Sequence, residues 1–223
     1  MKALKLGVKR DECVRTSLKA WNIFLQNESL WLSFPSEEID IECKSTNGVI
    51  EEKIAGVIYE PTLKLISWMH QRWFASRSSV LGLFFNWVSS QDIKVFKKIK
   101  KSLSGGSLAP QTLVIFPDLW TLYNFEIKES FSPDLILGGW QTKSAAKKAF
   151  EKISIGEAKI IFATHSGVFQ NWANLKKIIV WRPHMRYYKN QQQPRYRLPE
   201  VVTKMAKIYE SDVEMLSDLR IYC

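Results

Sequence analysis

Cysteine and histidine are scarce in this sequence, with three of each among 223 residues. Cys13, Cys43 and Cys223 are odd in number and widely spaced, which excludes a disulfide framework and a Cys-x-x-Cys zinc site. His70, His165 and His184 lie far apart and none belongs to a His-Glu-x-x-His pair, so no metal site and no cofactor is expected. No apolar run reaches the roughly 18 residues that a membrane span needs. The amino terminus alternates charges where a signal peptide would need an apolar stretch. A cytoplasmic protein without a membrane partner is therefore expected. Internal repeats and low-complexity segments are absent. Acidic residues are in deficit: 22 Asp+Glu against 32 Lys+Arg give a formal charge of +10, the balance of a protein that meets phosphates or anionic surfaces.

What is present is enough for a core. Hydrophobic residues make up 46% of the chain and aromatics 13%, which excludes disorder over most of its length. Near the amino terminus a helix is expected around Arg15 to Phe24. Alternating polar and apolar residues at Ser29 to Phe34 and Glu38 to Cys43, with Asn47-Gly48 before Val49 and Ile54 to Tyr59, predict a small sheet with a hairpin. Pro61 opens an amphipathic helix running to Phe74, with Leu65, Ile66, Met69 and Trp73 at helical spacing. The serines around the apolar run Val80 to Val88 mark a boundary, giving domains 1–86 and 87–223.

Beyond that boundary, short apolar strands alternate with amphipathic helices. Strands are expected at Thr112 to Phe116, Asp134 to Leu137, Lys159 to Ala163 and Lys177 to Trp181. Helices are expected at Asp92 to Leu103, Ser144 to Ile153 and Pro199 to Tyr209. Continuous apolar strands of this length joined by helices predict a parallel sheet and an α/β fold.

Three stretches carry something more specific. Ala158 to Val202 contains Ala163-Thr164-His165-Ser166-Gly167, Asn174-Leu175, Ile178 to Val180, Trp181-Arg182-Pro183-His184, Tyr188-Lys189-Asn190-Gln191 and Pro194-Arg195-Tyr196. Upstream lie Leu113 to Leu122 (LVIFPDLWTL) and Thr62 to Phe85. In this order they resemble the primosomal protein N′ (PriA) family of replication-restart helicases. The first matches its strand ending in Gly-Thr-Arg-Ser-Ala, its acidic Asp-Glu-Glu-His box and its Tyr-Lys-Gln-Gln…Pro-Arg-Tyr loop. The second matches its Leu-Val-Pro-Glu-Ile segment, and the third is similar to the helix closing its 3′-DNA-end-binding domain. The resemblance implies a small β-rich amino-terminal module of that type, followed by one RecA-like parallel-sheet lobe of the P-loop NTPase class.

Against the family pattern, the ATP machinery is missing. No Gly-x-x-x-x-Gly-Lys-Ser/Thr is written anywhere, and the aligned loop, Asn86 to Ile93, carries Ser89, Ser90 and Gln91 with Asp92 at the lysine position. Trp181, Arg182 and Pro183 replace the metal-binding and water-polarising carboxylates, and His184 alone remains. These residues are expected to mark a degenerate nucleotide site, with Trp181 plugging it, in a protein without ATPase or helicase activity. The winged-helix domain, the second motor lobe and the zinc-binding cysteines of the family have no counterpart here, which implies a shortened member.

The loop after the acidic-box position keeps its character. Arg182, Arg186, Tyr187, Tyr188, Lys189, Arg195, Tyr196 and Arg197 supply five cations, three tyrosines and no acid. Cations give phosphate contacts and tyrosine faces can stack on unpaired bases, so this is the expected DNA-binding loop. An equally weighted alternative is a solvated connection whose tyrosines pack on the sheet. Lys94, Lys97, Lys98, Lys100 and Lys101 read first as the solvent side of a helix and second as a phosphate-tracking surface, as do Lys143, Lys147, Lys148 and Lys152. Trp68, Trp73, Trp120 and Trp172 read as core. His165, Ser166, Asp118 and Asp134 form no catalytic triad, because adjacent strand residues point to opposite faces and no nucleophile elbow is present. The expected protein binds forked or single-stranded DNA, with other replication-restart proteins as further partners. A protein-interaction scaffold built on the same dead lobe is the rival.

Overall fold

A computed structural model describes residues 2–6, 13–15, 22–26, 29–34, 52–103, 108–129, 132–139 and 141–217. The chain divides into two compact units, Met1–Gly106 and Ser107–Cys223. That division falls later than the 86/87 boundary read from the serine-rich segment. The reason is local packing: Trp87 stacks on Phe96 at 5.9 Å, and the helix carrying Phe96 packs on a strand of the first unit.

In the first unit, β1 (Lys2–Lys5), β2 (Cys13–Arg15), β3 (Asn22–Gln26), β4 (Ser29–Phe34) and β5 (Glu52–Ala55) form an antiparallel sheet in the order β2-β1-β4-β3-β5. Of the helix expected around Arg15 to Phe24, the described residues lie in strands, Arg15 at the end of β2 and Asn22 to Phe24 in β3. Buried Ile23 sits between Leu32 of β4 and Ile54 of β5, and a β-branched residue flanked by two strands favours the pleated backbone over the helical one. The strand Glu38 to Cys43 and the hairpin at Asn47-Gly48 lie outside the described residues. β5 stops at Gly56, whose φ of +68° ends the extended run. Three helices follow: α1 (Glu60–Trp73), α2 (Arg77–Phe85) and α3 (Ile93–Ser102). α1 buries Leu63, Leu65, Ile66 and Met69 along one face and ends at Phe74 in the left-handed conformation. Ser76 then caps α2, its hydroxyl accepting from the Ser79 N–H at 3.2 Å.

The second unit is α/β. Strands β6 (Gln111–Phe116), β7 (Leu135–Leu137), β8 (Ile160–Thr164), β9 (Leu175–Trp181) and β10 (Asp212–Leu216) form an all-parallel five-stranded sheet in the order β10-β9-β6-β8-β7. Helices α4 (Leu119–Glu129), α5 (Lys143–Ser154) and α6 (Leu198–Tyr209) connect them. Right-handed crossovers place α4 on one face and α5 and α6 on the other. The α5/α6 face is sealed: Leu113, Ile115, Ile161, Ala163, Ile178 and Val180 are fully buried. Each of the leucine, isoleucine and valine side chains contributes about 1.5–3 kcal/mol by leaving water. The α4 face is less complete. Val114, Phe116, Leu122 and Phe162 form its core, with Phe125, Ile136, Ile160, Ile179 and Trp181 partly exposed around them.

At the amino-terminal edge of the sheet, buried Gln111 ties three segments together. Its amide donates to the carbonyls of Ile153 and Ala158, and its side-chain oxygen accepts from the Asn174 N–H. No helix among the described residues is long and apolar enough to cross a membrane.

Candidate nucleic-acid interface

The connectivity of the parallel sheet selects one place on it. From β6 the chain leaves through α4 toward β7 on one side, and from the neighbouring β9 it leaves through α6 toward β10 on the other. The crevice beyond the carboxyl ends of two adjacent strands whose connections diverge is where open α/β sheets bind ligands. Here the segments that follow those two strand ends are Pro117-Asp118 and Arg182-Pro183-His184.

On the β6 side, Asp118 is committed to α4. Its carboxylate accepts from the Thr121 N–H at 2.7 Å and from the Thr121 hydroxyl at 3.1 Å, which caps the helix start and meets its positive end. On the β9 side, Arg182 takes a left-handed backbone, φ 51°, and its N–H donates to the Leu216 carbonyl at 2.6 Å. The chain then turns at Met185 into a 3₁₀ turn over Arg186–Tyr188.

Tyr188 holds this turn to the sheet. It is 1% exposed, and its hydroxyl reaches the carbonyls of Ile115 on β6 and Trp181 on β9. One proton serves one carbonyl at a time, so the hydroxyl bridges the ends of the two strands that define the crevice. Burial pushes the phenol above the ordinary tyrosine range; the negative charge of Asp118 adds to this and the positive charge of Arg182 opposes it. Asp118 and Arg182 therefore each lie within electrostatic reach of Tyr188.

The rest of the loop closes on itself. Lys189 bridges to Arg197, the Asn190 N–H donates to the Tyr196 carbonyl, and the Asn190 amide donates to the carbonyls of Gln192 and Pro194 around a cis Gln193-Pro194 bond. Tyr196 packs edge-on against Phe169 with ring centroids 5.1 Å apart, and its burial raises its pKa.

This arrangement sorts the eight residues expected to bind DNA. Arg186, Tyr187, Lys189, Arg195 and Arg197 are exposed, and Arg182 is half-buried. Tyr188 and Tyr196 are buried and have no face to offer a base, Tyr188 held to the sheet and Tyr196 packed on Phe169, and one tyrosine stays outside. The Arg186 guanidinium lies 5.5 Å from the centre of the exposed Tyr187 ring.

The residues expected to mark a degenerate nucleotide site do not share a unit. Ser89, Ser90, Gln91 and Asp92 belong to the first, between α2 and α3, and Trp181 and His184 to the second. The segment preceding Asn86 is α2 and not a strand. Asp92 acts locally, its carboxylate accepting from the Ser89 N–H at 2.8 Å and the Ser89 hydroxyl at 2.7 Å. Trp181 packs edge-on against Phe125, centroids 5.4 Å apart, on the α4 face of the sheet. With Thr112, Val114, Phe162, Ile179 and Leu216 it lines an apolar cavity of about 340 Å³. His184 is exposed, whereas burial lowers the pKa of His165.

One surface feature escaped the sequence. Trp120, read as core from its apolar neighbours, is 75% exposed, and Tyr123 one turn further along α4 is 48% exposed. Among the described residues no three His, Cys, Asp or Glu side chains gather as a metal site. Compared with known proteins, the chain matches no family model and no curated protein.

Proposed function

We propose that this protein binds single-stranded or branched DNA through the carboxyl edge of its parallel sheet, as a relative of the PriA helicases that neither hydrolyses ATP nor unwinds DNA. One observation carries the reading. Arg186, Lys189, Arg195 and Arg197 are exposed on a loop that contains no acid, with Tyr187 beside them and Arg182 at its root, at the crevice that the sheet topology selects. Cations on a loop tied down by Tyr188 and Asn190 meet phosphates without a large ordering cost, because the backbone is already fixed. An all-parallel five-stranded sheet is also what a RecA-like lobe would supply. The ATPase-free part of the reading is supported by Asp92, whose carboxylate is engaged with Ser89, and by Trp181, Arg182 and Pro183 at the acidic-box positions.

The test is fluorescence-anisotropy binding of a labelled single strand and of a fork with a free 3′ leading end, over a salt series with and without ATP. Binding that weakens steeply with salt and ignores ATP is expected. Absence of binding at low salt overturns the reading. A second reading, a protein-interaction scaffold, is favoured by the partly open apolar cavity around Phe125, Ile179, Trp181 and Leu216. Association of that kind would persist at high salt.

A further inference from the structure

We infer that Trp120, followed by Tyr123 on the same stripe of α4, is a base-stacking platform at this edge, so that the ligand is a strand with unpaired bases and not a closed duplex. The inference rests on the nucleic-acid reading above and specifies its substrate class.

Tryptophan is among the side chains with most to gain from burial, and Trp172 in the same unit is 1% exposed. Trp120 instead keeps three quarters of its surface in water while Leu122, two residues on, is fully buried. Residues three apart on a helix are neighbours, so Trp120 and Tyr123 form one exposed aromatic stripe.

Position gives the stripe an occupant. Trp120 lies in the first turn of α4, two residues after Asp118. The charge of Asp118 is felt by Tyr188, whose chain neighbour is the exposed Tyr187. The aromatic stripe and the basic loop thus leave the carboxyl ends of adjacent strands, β6 and β9, and Tyr188 ties those ends together. A polyanion held by Arg186, Lys189, Arg195 and Arg197 would lie at the same edge of the sheet as the exposed indole. Unpaired bases carry an open face for that indole, whereas bases inside a duplex are already stacked on one another.

The experiment compares the full-length wild type, Trp120→Ala and Trp120→Phe by anisotropy on a labelled oligothymidylate and on a duplex of equal length, with circular dichroism as the folding control. Trp120→Ala is expected to weaken single-strand binding about tenfold or more, to change duplex binding little and to leave the salt dependence intact, because stacking releases no counterions. Trp120→Phe should retain most of the affinity. Unchanged single-strand affinity in Trp120→Ala, or equal losses on strand and duplex, overturns the stacking inference and leaves the basic-loop reading standing. Wild-type protein that binds only duplex overturns the inference and the single-strand part of the reading, and leaves its basic-loop contact to phosphates standing. Wild-type protein that binds neither ligand overturns both.

Discussion

Removing the Tyr188 hydroxyl would leave the carbonyls of Ile115 and Trp181 without the one donor they now share across the ends of β6 and β9. A buried acceptor that loses its donor costs about 1–3 kcal/mol, so Tyr188→Phe should lower the urea midpoint by a corresponding amount without changing the slope. Tyr187→Phe, one residue earlier and exposed, should stay within about 0.5 kcal/mol of wild type. Composition could not separate these two side chains. Both are tyrosines in one basic run, and only the 3₁₀ turn over Arg186–Tyr188 decides which ring turns inward. The same holds for Trp120: its apolar neighbours Leu119 and Leu122 implied a core position, whereas the helix that the Asp118 cap starts there turns its ring to solvent.

At the scale of elements, the junction of β7 and β8 offers a pH-dependent test. Asp134, just before β7, accepts from the backbone N–H groups of Lys159 and Ile160 at 2.8 and 2.9 Å, and these bonds hold its carboxyl below the ordinary aspartate range. A group whose folded pKa is depressed stabilises the fold above its unfolded value and loses that contribution as pH falls through the folded one. The side chain is exposed, so Asp134→Ala should cost only about 0.5–1 kcal/mol near neutral pH. The difference between variant and wild type should shrink below about pH 3.9, as chemical denaturation across an acid series would show. The inner strands β6 and β8 were legible in the sequence, because strands buried on both faces read as short continuous apolar runs, whereas the edge strand β10 carries exposed Asp212 and Glu214 and has no such run. Helix α4 was not. Its aromatics fall on both sides, Phe125 against the sheet and Trp120 and Tyr123 in water, so no single apolar stripe marks it. In the first unit, the period-two spacing around Ile23 was lost among its apolar neighbours Trp21, Phe24 and Leu25, and at Asn22 to Phe24 strand pairing prevailed over the helical reading.

Across the whole molecule, the net charge of +10 cannot by itself say where an anion would bind, since basic residues are spread over both compact units. α3 exposes Lys94, Lys97, Lys98, Lys100 and Lys101 around one helix of the first unit, and the loop of the second exposes Arg186, Lys189, Arg195 and Arg197. The two clusters differ in what fixes them. The lysines are spread around a helix surface whose buried side is Ile93, Val95, Phe96 and Ile99, the pattern of an ordinary solvated face. The arginines stand on a loop fastened to two strand ends by Tyr188 and closed by Asn190. If the loop is the phosphate contact, the triple change Arg186→Ala, Arg195→Ala and Arg197→Ala should flatten the plot of log affinity against log salt by about two, at roughly 0.7 per phosphate contact for a single strand. The matched change Lys97→Ala, Lys98→Ala and Lys101→Ala removes the same charge from the other unit and should leave that slope nearly unchanged. Equal flattening by both triples would mean that binding follows net charge alone, and the surface selected by the sheet topology would then hold no special place.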